Sequence, residues 1–508
     1  MRDWVKKLPL FVILMGIGSF AMLLPAAHAL ALGDHTDSRI FFYGFILFSA
    51  LTFVIGLATA GYQPASVARS QLVALLAAFT CLPLMFAVPF YEAVGNTSYL
   101  NAWFEMVSCL TTTGATVYDN AGRLTPSLHL WRGTVGWLGG LLVWITAVSS
   151  FAPMNLGGFE VRSTGSAGKG AIASAFTQIS QVSDPSERLL RYAIRLTPLY
   201  AGFTFILWIG LVIAGEQPYV ALIHAMSVLS TSGITPIGGL YYAASGFWGE
   251  LIIFAFFILA ISRLSFSQGL LGEKDKGLLS DPEFRMGVIL IVSVTGLLFL
   301  RHFANAIDGQ VPTNLTLMAR AIWGSLFTVT SFLTTTGFES QYWMSAGDWS
   351  GIHTPGLFLI GLALIGGGVA TTAGGVKLLR IYALFRHSER ELERLVHPSS
   401  IGGGGREARR IRKQGAYISW IFFMLFAMSI ALVMLALSLT GVQFETTLIL
   451  AISALSTTGP LAEVAAESPI AFSGIPDGAK IILAAAMVLG RLETLAIVAL
   501  FNPEIWRN

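Results

Sequence analysis

Charged residues are scarce in this sequence. Asp, Glu, Lys and Arg make up only 12% of its 508 residues, whereas a soluble domain of ordinary composition contains about a quarter. Hydrophobic residues reach 54%, and many windows hold the roughly 20 apolar residues that one transmembrane helix needs. The composition argues against a soluble globular protein and predicts a multi-pass protein of the lipid bilayer.

Cysteine is almost absent, and so are the common signatures of catalysis. Cys81 and Cys109 lie in apolar segments and provide neither a disulfide framework nor a metal ligand set. The sequence has no HExxH, GxSxG or complete Walker motif and no paired-carboxylate site, so we expect no enzyme activity. No basic stripe with interleaved aromatic residues occurs, which argues against a nucleic-acid partner.

The sequence does contain one motif four times, S-x-L-[ST]-T-[ST]-G. The copies are SCLTTTG at 108–114, SVLSTSG at 227–233, SFLTTTG at 331–337 and SALSTTG at 453–459. A single copy would fit a contact between membrane helices, where small residues are common. Four copies, each at the same place in a longer unit, predict an internal repeat with one shared role.

Apolar segments of two lengths surround these motifs. Ten long segments predict transmembrane spans at about 8–31, 40–61, 71–90, 129–152, 193–214, 247–265, 286–303, 355–385, 416–440 and 479–500. Four short ones, at about 99–110, 218–229, 319–333 and 444–455, each precede a motif and predict re-entrant or buried helices. With the N-terminus inside, all but seven of the 31 Lys and Arg residues fall on the cytoplasmic side, as the positive-inside rule requires.

The first segment also has features of a cleaved signal peptide, including a possible A-x-A site. Its apolar run is longer than the usual signal core, which favours a retained helix.

The predicted fold is an all-α polytopic membrane protein of about ten spans. Two N-terminal transmembrane helices precede four pseudo-fourfold repeats of transmembrane helix, pore helix, filter loop and transmembrane helix. The expected divisions are an N-terminal segment 1–66, repeat 1 at 67–160, repeat 2 at 185–270, repeat 3 at 281–390, a cytoplasmic linker at 391–414 and repeat 4 at 415–508.

The four motifs have the composition of an ion-binding site. Irregular backbone at membrane depth occurs only where it is buried or lines a water-filled cavity. Four such loops around one axis would present carbonyl and hydroxyl oxygens, which can replace the hydration shell of an alkali cation. The candidate ligands are Thr112, Thr113, Gly114, Thr231, Ser232, Gly233, Thr335, Thr336, Gly337, Thr457, Thr458 and Gly459. Asp119, Glu339 and Glu463 follow three of the loops and would attract cations to the outer mouth.

These motifs resemble those of the Trk/Ktr/HKT superfamily of potassium transporters, and most closely the bacterial TrkH-type potassium-translocating subunit with its two additional N-terminal helices. GGGVATTAGGVKLLR at 366–380 is similar to the broken third-unit helix of that family, and GRLETLAIVALFNPEIWR at 490–507 to its C-terminal signature. The resemblance covers essentially the whole chain.

The resemblance implies K+ as the transported ion, the inner membrane as the location and a homodimer with one pore in each chain. It also implies a cytoplasmic ring of nucleotide-binding regulatory subunits of the TrkA-like RCK type. In plant relatives a serine in place of the first filter glycine accompanies sodium permeation, so glycine at all four positions here favours potassium. Pro460, directly after the fourth glycine, departs from the other copies.

Residues 366–375, GGGVATTAGG, interrupt an apolar span with five glycines. Each glycine inside a helix costs about 1 kcal/mol relative to alanine, so a straight helix is not expected. The segment is either a kink for packing or a flexible gate below the filter, and the resemblance implies a gate. The candidate gating residues are Gly366, Gly367, Gly368, Thr371, Thr372, Gly374 and Gly375.

Arg491 is the one basic residue that the predicted topology assigns to the inside of a span and to neither side of the membrane, and ionisable residues in spans usually have a function. Glu493 is two positions away and points elsewhere on a helix. A positive charge about 5 Å from an ion path would raise the energy of a cation by roughly 3 kcal/mol at an effective dielectric constant of about 20. We therefore predict that Arg491 helps to keep the pore shut.

Two transport mechanisms remain open from the sequence. One is uptake through a channel-like pore driven by the membrane potential. The other is a symport mechanism, a secondary transporter that couples K+ to H+ or Na+, which usually needs a titratable group or second ion site near the midplane. Glu105, His224 and Glu493 are its candidates.

Overall fold

The computed structural model describes residues 8–61, 67–151, 185–262, 278–307, 315–344, 356–397, 413–466 and 468–493. Within these ranges the chain consists of helices and loops. The helices are α1 Leu10–Ala21, α2 Leu23–Ala31, α3 His35–Thr59, α4 Val67–Val94, α5 Tyr99–Leu110, α6 Pro126–Thr146, α7 Pro185–Ile213, α8 Pro218–Ser230, α9 Gly246–Ile261, α10 Pro282–Ile307, α11 Leu315–Leu333, α12 Gly356–Ile365, α13 Leu378–Val396, α14 Lys413–Ser438, α15 Phe444–Leu455, α16 Leu461–Val464 and α17 Asp477–Leu492.

The first predicted span is two helices with a break at Met22. Pro25 explains the break, because it has no N–H to donate to the carbonyl one turn earlier. Both α1 and α2 pack against α3, while α1 also contacts α4 and α2 contacts α6. The outward side chains of α3, such as Leu47, Phe53 and Leu57, are more than half exposed, as expected for a surface that faces lipid.

The four predicted short helices are present as α5, α8, α11 and α15. Three contain 12 or 13 residues. The third, α11, contains 19 and begins at Leu315, earlier than the sequence predicts. The first of them begins at Tyr99, directly after Ser98, whose side-chain oxygen accepts a hydrogen bond from the Asn101 N–H and caps the helix.

Seven described helices are both long and apolar enough to cross a membrane, and α11 is among them. Four predicted spans fall outside this group, namely those that correspond to α6, α9, the α12–α13 pair and α17. These are the second spans of the four units. The described α9, α12 and α17 contain 16, 10 and 16 residues, fewer than the roughly 20 that a span needs. The longer α6 is mostly buried among neighbouring helices, so it can contain more small and polar residues than a helix in contact with lipid.

The four units form a closed ring. The second span of each unit packs against the pore helix of the next unit: α6 against α8, α9 against α11, α12 against α15, and α17 back against α5. Glycines allow the close approach in α6, where a β-carbon on Gly139 would overlap the carbonyl of Leu110. The predicted pseudo-fourfold all-α architecture is confirmed.

Residues 366–377 lie between α12 and α13 and are not helical. The chain folds back on the end of α12 here, because the Val376 N–H donates to the Leu364 carbonyl at 3.0 Å and the Lys377 N–H donates to the Ile365 carbonyl at 2.8 Å. We call residues 366–377, which include the segment predicted to act as a gate, the gate loop.

Candidate functional site

All four motifs form the same turn at the end of their pore helices. In each motif the N–H of the Ser or Thr at position six donates a hydrogen bond to the carbonyl of the serine at position one. The four bonds are Thr113 to Ser108 at 2.8 Å, and Ser232 to Ser227, Thr336 to Ser331 and Thr458 to Ser453 at 2.9 Å each. The leading serine of the motif is thus the backbone anchor of the loop.

The central threonine of every motif has a left-handed backbone. The φ angles are 54° for Thr112, 52° for Thr231, 56° for Thr335 and 54° for Thr457. This conformation is an outlier for a β-branched residue. Its repetition at four equivalent positions is typical of strain held at a functional site. We call these four side chains the inner hydroxyl ring.

In each motif the hydroxyls at positions four and six, on either side of the central threonine, form a hydrogen bond with each other. The oxygen pairs are Thr111–Thr113 at 2.8 Å, Ser230–Ser232 at 3.0 Å, Thr334–Thr336 at 3.1 Å and Ser456–Thr458 at 3.3 Å. The side chains of Thr113, Ser232, Thr336 and Thr458 are therefore held by the scaffold, and their backbone carbonyls are the remaining candidate ligands. Two of these carbonyls already accept hydrogen bonds, that of Thr113 from the Gly459 N–H at 2.6 Å and that of Thr458 from the Ser453 hydroxyl at 2.9 Å.

The hydroxyls of the inner hydroxyl ring have different partners. Those of Thr112 and Thr457 are buried and have no hydrogen-bond partner among the described residues. The hydroxyl of Thr231 donates to the Ser230 carbonyl at 2.7 Å, and that of Thr335 accepts the Gly374 N–H at 2.7 Å. Two buried oxygens without partners are costly, and a bound cation would satisfy them.

The four loops meet in cyclic order. A β-carbon on Gly114 would overlap the Ser232 carbonyl, and one on Gly233 would overlap the Thr336 carbonyl. The third loop contacts the fourth where Gly337 abuts Pro460, and the fourth meets the first where the Gly459 N–H donates to the Thr113 carbonyl at 2.6 Å. The structure thus brings all twelve candidate ligands of the sequence analysis around one axis.

The fourth loop differs from the others. The first three glycines have φ angles of 74°, 67° and 81°, whereas Gly459 is not in the left-handed region. Pro460 follows with φ −58° and is the N-cap of the short helix α16. Its ring lies against both Gly233 and Gly337, so the mouth formed by the loops is asymmetric.

Behind the first loop lies a buried ion pair. Glu105, fully buried on the pore helix α5, accepts the Arg132 Nε–H at 2.7 Å and the backbone N–H of Val117 at 3.1 Å. Arg132 also contacts His129 Nδ1 at 3.2 Å. Sequence reasoning named Glu105 as a candidate coupling group and missed its partner. The signal was present, since Arg132 lies near the start of a predicted span.

Behind the third loop lies a carboxylate from the neighbouring unit. Glu250 of α9 accepts hydrogen bonds from Trp323 Nε1 at 2.8 Å, the Ser340 hydroxyl at 2.8 Å and the Gln341 N–H at 2.6 Å. Sequence reasoning missed this residue as well. An acid within the apolar run GFWGELIIFAFF was the available signal.

The gate loop lies directly against the loops of the repeated motif. Besides the Gly374 bond, the Thr372 hydroxyl donates to the Leu229 carbonyl at the end of the second pore helix, at 3.1 Å. The Val369 N–H donates to Glu283 Oε1 at 3.1 Å. A β-carbon on Gly374 would overlap the Ser456 carbonyl and the Thr457 hydroxyl. The loop therefore contacts units two, three and four, and glycine is required at 374 for this approach.

Arg491 lies beside the gate loop near the end of α17. It is 5% exposed, and its Nε and one terminal nitrogen have no hydrogen-bond partner among the described residues. A cavity of about 20 Å³ lies next to it and is also lined by Gly374 and Lys377, so it has room for about one water molecule. Glu493 points away and pairs with Arg380 at 2.7 Å, in agreement with the expected separation from Arg491.

The outer acids lie near one another, Asp119 and Glu339 in loops and Glu463 in the short helix α16. Burial and the neighbouring Glu463 carboxylate raise the pKa of Glu339 to about 7. Burial and Asp119 raise the pKa of Glu463 above its usual value. Asp119 Oδ2 also accepts a short hydrogen bond from the Ser473 hydroxyl. These mutual effects indicate a shared negative field at the mouth.

A family model described as TrkH, cation transport protein, matches residues 38–507. The chain belongs to the TrkH family. Among its relatives, a Trk system potassium uptake protein TrkH from Salmonella typhimurium is 29% identical over 438 residues, with 85% of this chain and 84% of that protein covered. The TrkI protein of the Trk potassium uptake system in Halomonas elongata is 27% identical over 442 residues, with coverages of 85% and 82%.

The same family provides a similar solved structure. The crystal structure of the potassium transporter TrkH from Vibrio parahaemolyticus matches with a TM-score of 0.80 at 25% identity, and the match covers 100% of both chains. Together with the seven apolar helices, membership of the TrkH family establishes a multi-pass membrane transport protein. A transport role fits the expectation that the chain is not an enzyme.

Proposed function

We propose that this protein mediates potassium uptake across the cytoplasmic (inner) membrane through a channel-like pore, with K+ as its substrate. The observation that carries the proposal is the convergence of four identical turns, two of which hold buried hydroxyls without partners among the described residues. Hydroxyl and carbonyl oxygens are hard ligands suited to an alkali cation. The names of the relatives supply the choice of potassium.

The selectivity filter works by exchanging ligands. The ion loses its hydration shell at the glycine level and gains oxygens from the four loops. The hydrogen bond between the hydroxyls at positions four and six stabilises each loop, so the ligands are held in place before the ion arrives. Preorganised ligands need not rearrange as the ion binds, which favours an ion of one size.

The gate consists of the gate loop and Arg491. The gate loop bonds directly to Thr335 and to the end of the second pore helix, and the cavity beside Arg491 has room for about one water molecule, so we assign this conformation to a closed pore. The positive charge of Arg491 next to the cavity adds an electrostatic barrier. Opening then requires the gate loop to move away from the filter and Arg491 to move or be screened.

The proposed assembly is a homodimer in which each chain contains its own pore. Cytoplasmic nucleotide-binding subunits of the TrkA-like RCK type would control the gate. The relatives are named as members of a Trk system, which fits a multi-component machine. The cytoplasmic helix α13 continues directly from the gate loop, so a force applied to it would reach the gate.

The test is growth and K+ uptake in a bacterial strain that lacks its own potassium transporters. Wild-type protein should restore uptake at low external K+. Gly337→Ser should restore it poorly or admit Na+, because a β-carbon at Gly337 would press on Pro460 and φ is 81° there. Equal rescue by both proteins at matched membrane levels would contradict the filter assignment.

Coupled symport with H+ or Na+ is the alternative. Its three candidate groups are already engaged, Glu105 with Arg132, His224 with Thr235 at 3.1 Å and Glu493 with Arg380. Flux at a fixed voltage should therefore not respond to an added proton or sodium gradient. A flux that follows either gradient would favour the symporter.

A further inference from the structure

The gate loop and the filter share a hydrogen bond. The Gly374 N–H of the gate loop donates to the Thr335 hydroxyl at 2.7 Å, and Thr335 is 1% exposed. Thr335 is the third-unit member of the inner hydroxyl ring. A side chain with the position of an ion ligand is therefore also the acceptor that fastens the gate loop.

The other members of the ring show that this bond is particular to the third unit. Thr112, Thr231 and Thr457 share the left-handed backbone of Thr335, with φ angles within a few degrees. Two of their hydroxyls have no partner among the described residues, and the third bonds within its own loop. Of these four equivalent threonines, only Thr335 accepts a hydrogen bond from the gate loop, and the hydroxyls of Thr112 and Thr457 have no partner among the described residues.

The backbone of Gly374 also lies close to the side chains of the inner hydroxyl ring. A β-carbon on it would overlap the Thr457 hydroxyl and the Ser456 carbonyl, so its backbone lies against the third and fourth loops together. The amide N–H carries partial positive charge and points at Thr335. A cation at the level of the ring would meet this charge and compete for the same hydroxyl oxygen.

We propose that the bond from the Gly374 N–H to the Thr335 hydroxyl is a latch that excludes K+ from the innermost filter position. The latched gate loop and an ion at the inner hydroxyl ring are mutually exclusive. Potassium at the ring therefore favours release of the loop, and closure removes one ligand from the ring. This inference rests on the proposed function, since it assumes that the ring binds K+.

The experiment compares Thr335→Val with Thr457→Val in the full-length protein, purified and reconstituted in lipid bilayers. Both changes remove one hydroxyl of the inner hydroxyl ring and keep the β-branched shape, but only the first removes the latch. Thr335→Val should raise the open probability about fivefold, the effect expected for loss of one ordinary hydrogen bond. Thr457→Val should lower the single-channel conductance and leave the open probability unchanged.

A second measurement does not need ion flux. Ala370, 7% exposed, lies in the gate loop and lines the cavity. In an Ala370→Cys protein that also carries Cys81→Ala, a thiol reagent added from the cytoplasmic side should react slowly in choline and faster in K+. Adding Thr335→Val should make the reaction fast in both solutions, whereas Thr457→Val should leave it slow in choline. Thr335→Ser keeps the hydroxyl and should behave as wild type.

The outcomes separate the latch from the pore. If Thr335→Val and Thr457→Val change open probability and labelling alike, Thr335 is an ion ligand only and the latch is refuted. If K+ does not speed labelling of the Ala370→Cys protein that keeps Thr335, competition between the ion and the latch is refuted. If the wild-type protein conducts no K+ but the labelling contrast between the two variants remains, the proposed function fails while the latch stands.

Discussion

The positions of the repeated motif have separate tasks. Positions four and six of S-x-L-[ST]-T-[ST]-G accept Ser or Thr, and their hydroxyls pair with each other in all four loops. Position five is always Thr and always left-handed. The leading Ser supplies the carbonyl that anchors the turn. The exchange of Ser for Thr among the copies therefore occurs only at positions four and six, where either residue supplies the paired hydroxyl.

The outer acids lead to a prediction about external pH. With a pKa of about 7, Glu339 is mostly charged at pH 8 and mostly neutral at pH 6, so acidification removes a negative charge from the mouth. We expect uptake at subsaturating K+ to fall about two- to threefold from pH 8 to pH 6, because one charge about 7 Å away in water changes the energy of the ion by roughly 0.6 kcal/mol.

Glu339→Gln should lower uptake at pH 8 to the pH 6 level and flatten the profile between them. Glu463→Gln is the informative comparison, since it removes the neighbour that raises the pKa of Glu339 and should shift the remaining pH dependence to lower values. Initial rates of ⁸⁶Rb+ uptake at fixed membrane potential measure both effects. A profile in Glu339→Gln that still falls between pH 8 and pH 6 would assign the titration to another group.

At the scale of elements, the first filter loop depends on the pair between α5 and α6. Glu105 is fully buried and Arg132 is 4% exposed, with 2.7 Å between their charged atoms. Removing one partner of such a pair leaves a buried charge uncompensated and costs about 3–5 kcal/mol. Arg132→Met should therefore lower the apparent melting temperature of the detergent-solubilised protein and reduce selectivity for K+ over Na+.

The double variant Arg132→Met, Glu105→Gln separates the two effects. It removes both charges, so much of the thermal stability should return. The arginine is absent, and the glutamine holds the Val117 N–H more weakly than a carboxylate does, so selectivity should remain reduced. Recovery of both properties together would show that the charges serve stability alone.

Elements that follow from local pattern could be predicted from the sequence, and those set by contacts could not. The pore helices and the break at 366–375 follow from segment length and glycine content. The longer α11 and the division at Met22 depend on packing and on a single proline. The Glu105–Arg132, Glu250–Trp323 and Gly374–Thr335 contacts join residues 27, 73 and 39 positions apart, and no spacing rule predicts such pairs.

At the scale of the whole molecule, one chain builds a ring that four identical subunits would otherwise provide. Each second span packs on the next pore helix, and Glu250 ties the second unit to the third. Because the units are encoded separately, each can differ from the others. The third has the gate loop, and the fourth has a motif loop whose Pro460 lies against the glycines of the second and third loops.

The last prediction concerns this asymmetry. Pro460 lies against Gly233 and Gly337, the glycines of two other loops, while Gly459 bonds directly to the Thr113 carbonyl of the first loop at 2.6 Å. The fourth loop thus narrows the mouth and takes one carbonyl that an ion could use.

Pro460→Ala removes the ring atoms from the mouth and frees the backbone to move, so single-channel conductance should rise and the K+ to Na+ permeability ratio should fall. Pro476→Ala, at the start of α17 and outside the filter loops, is the matched control and should change neither. If Pro460→Ala instead abolishes conduction in protein that folds and reaches the membrane, the fourth loop supports the pore rather than narrowing it.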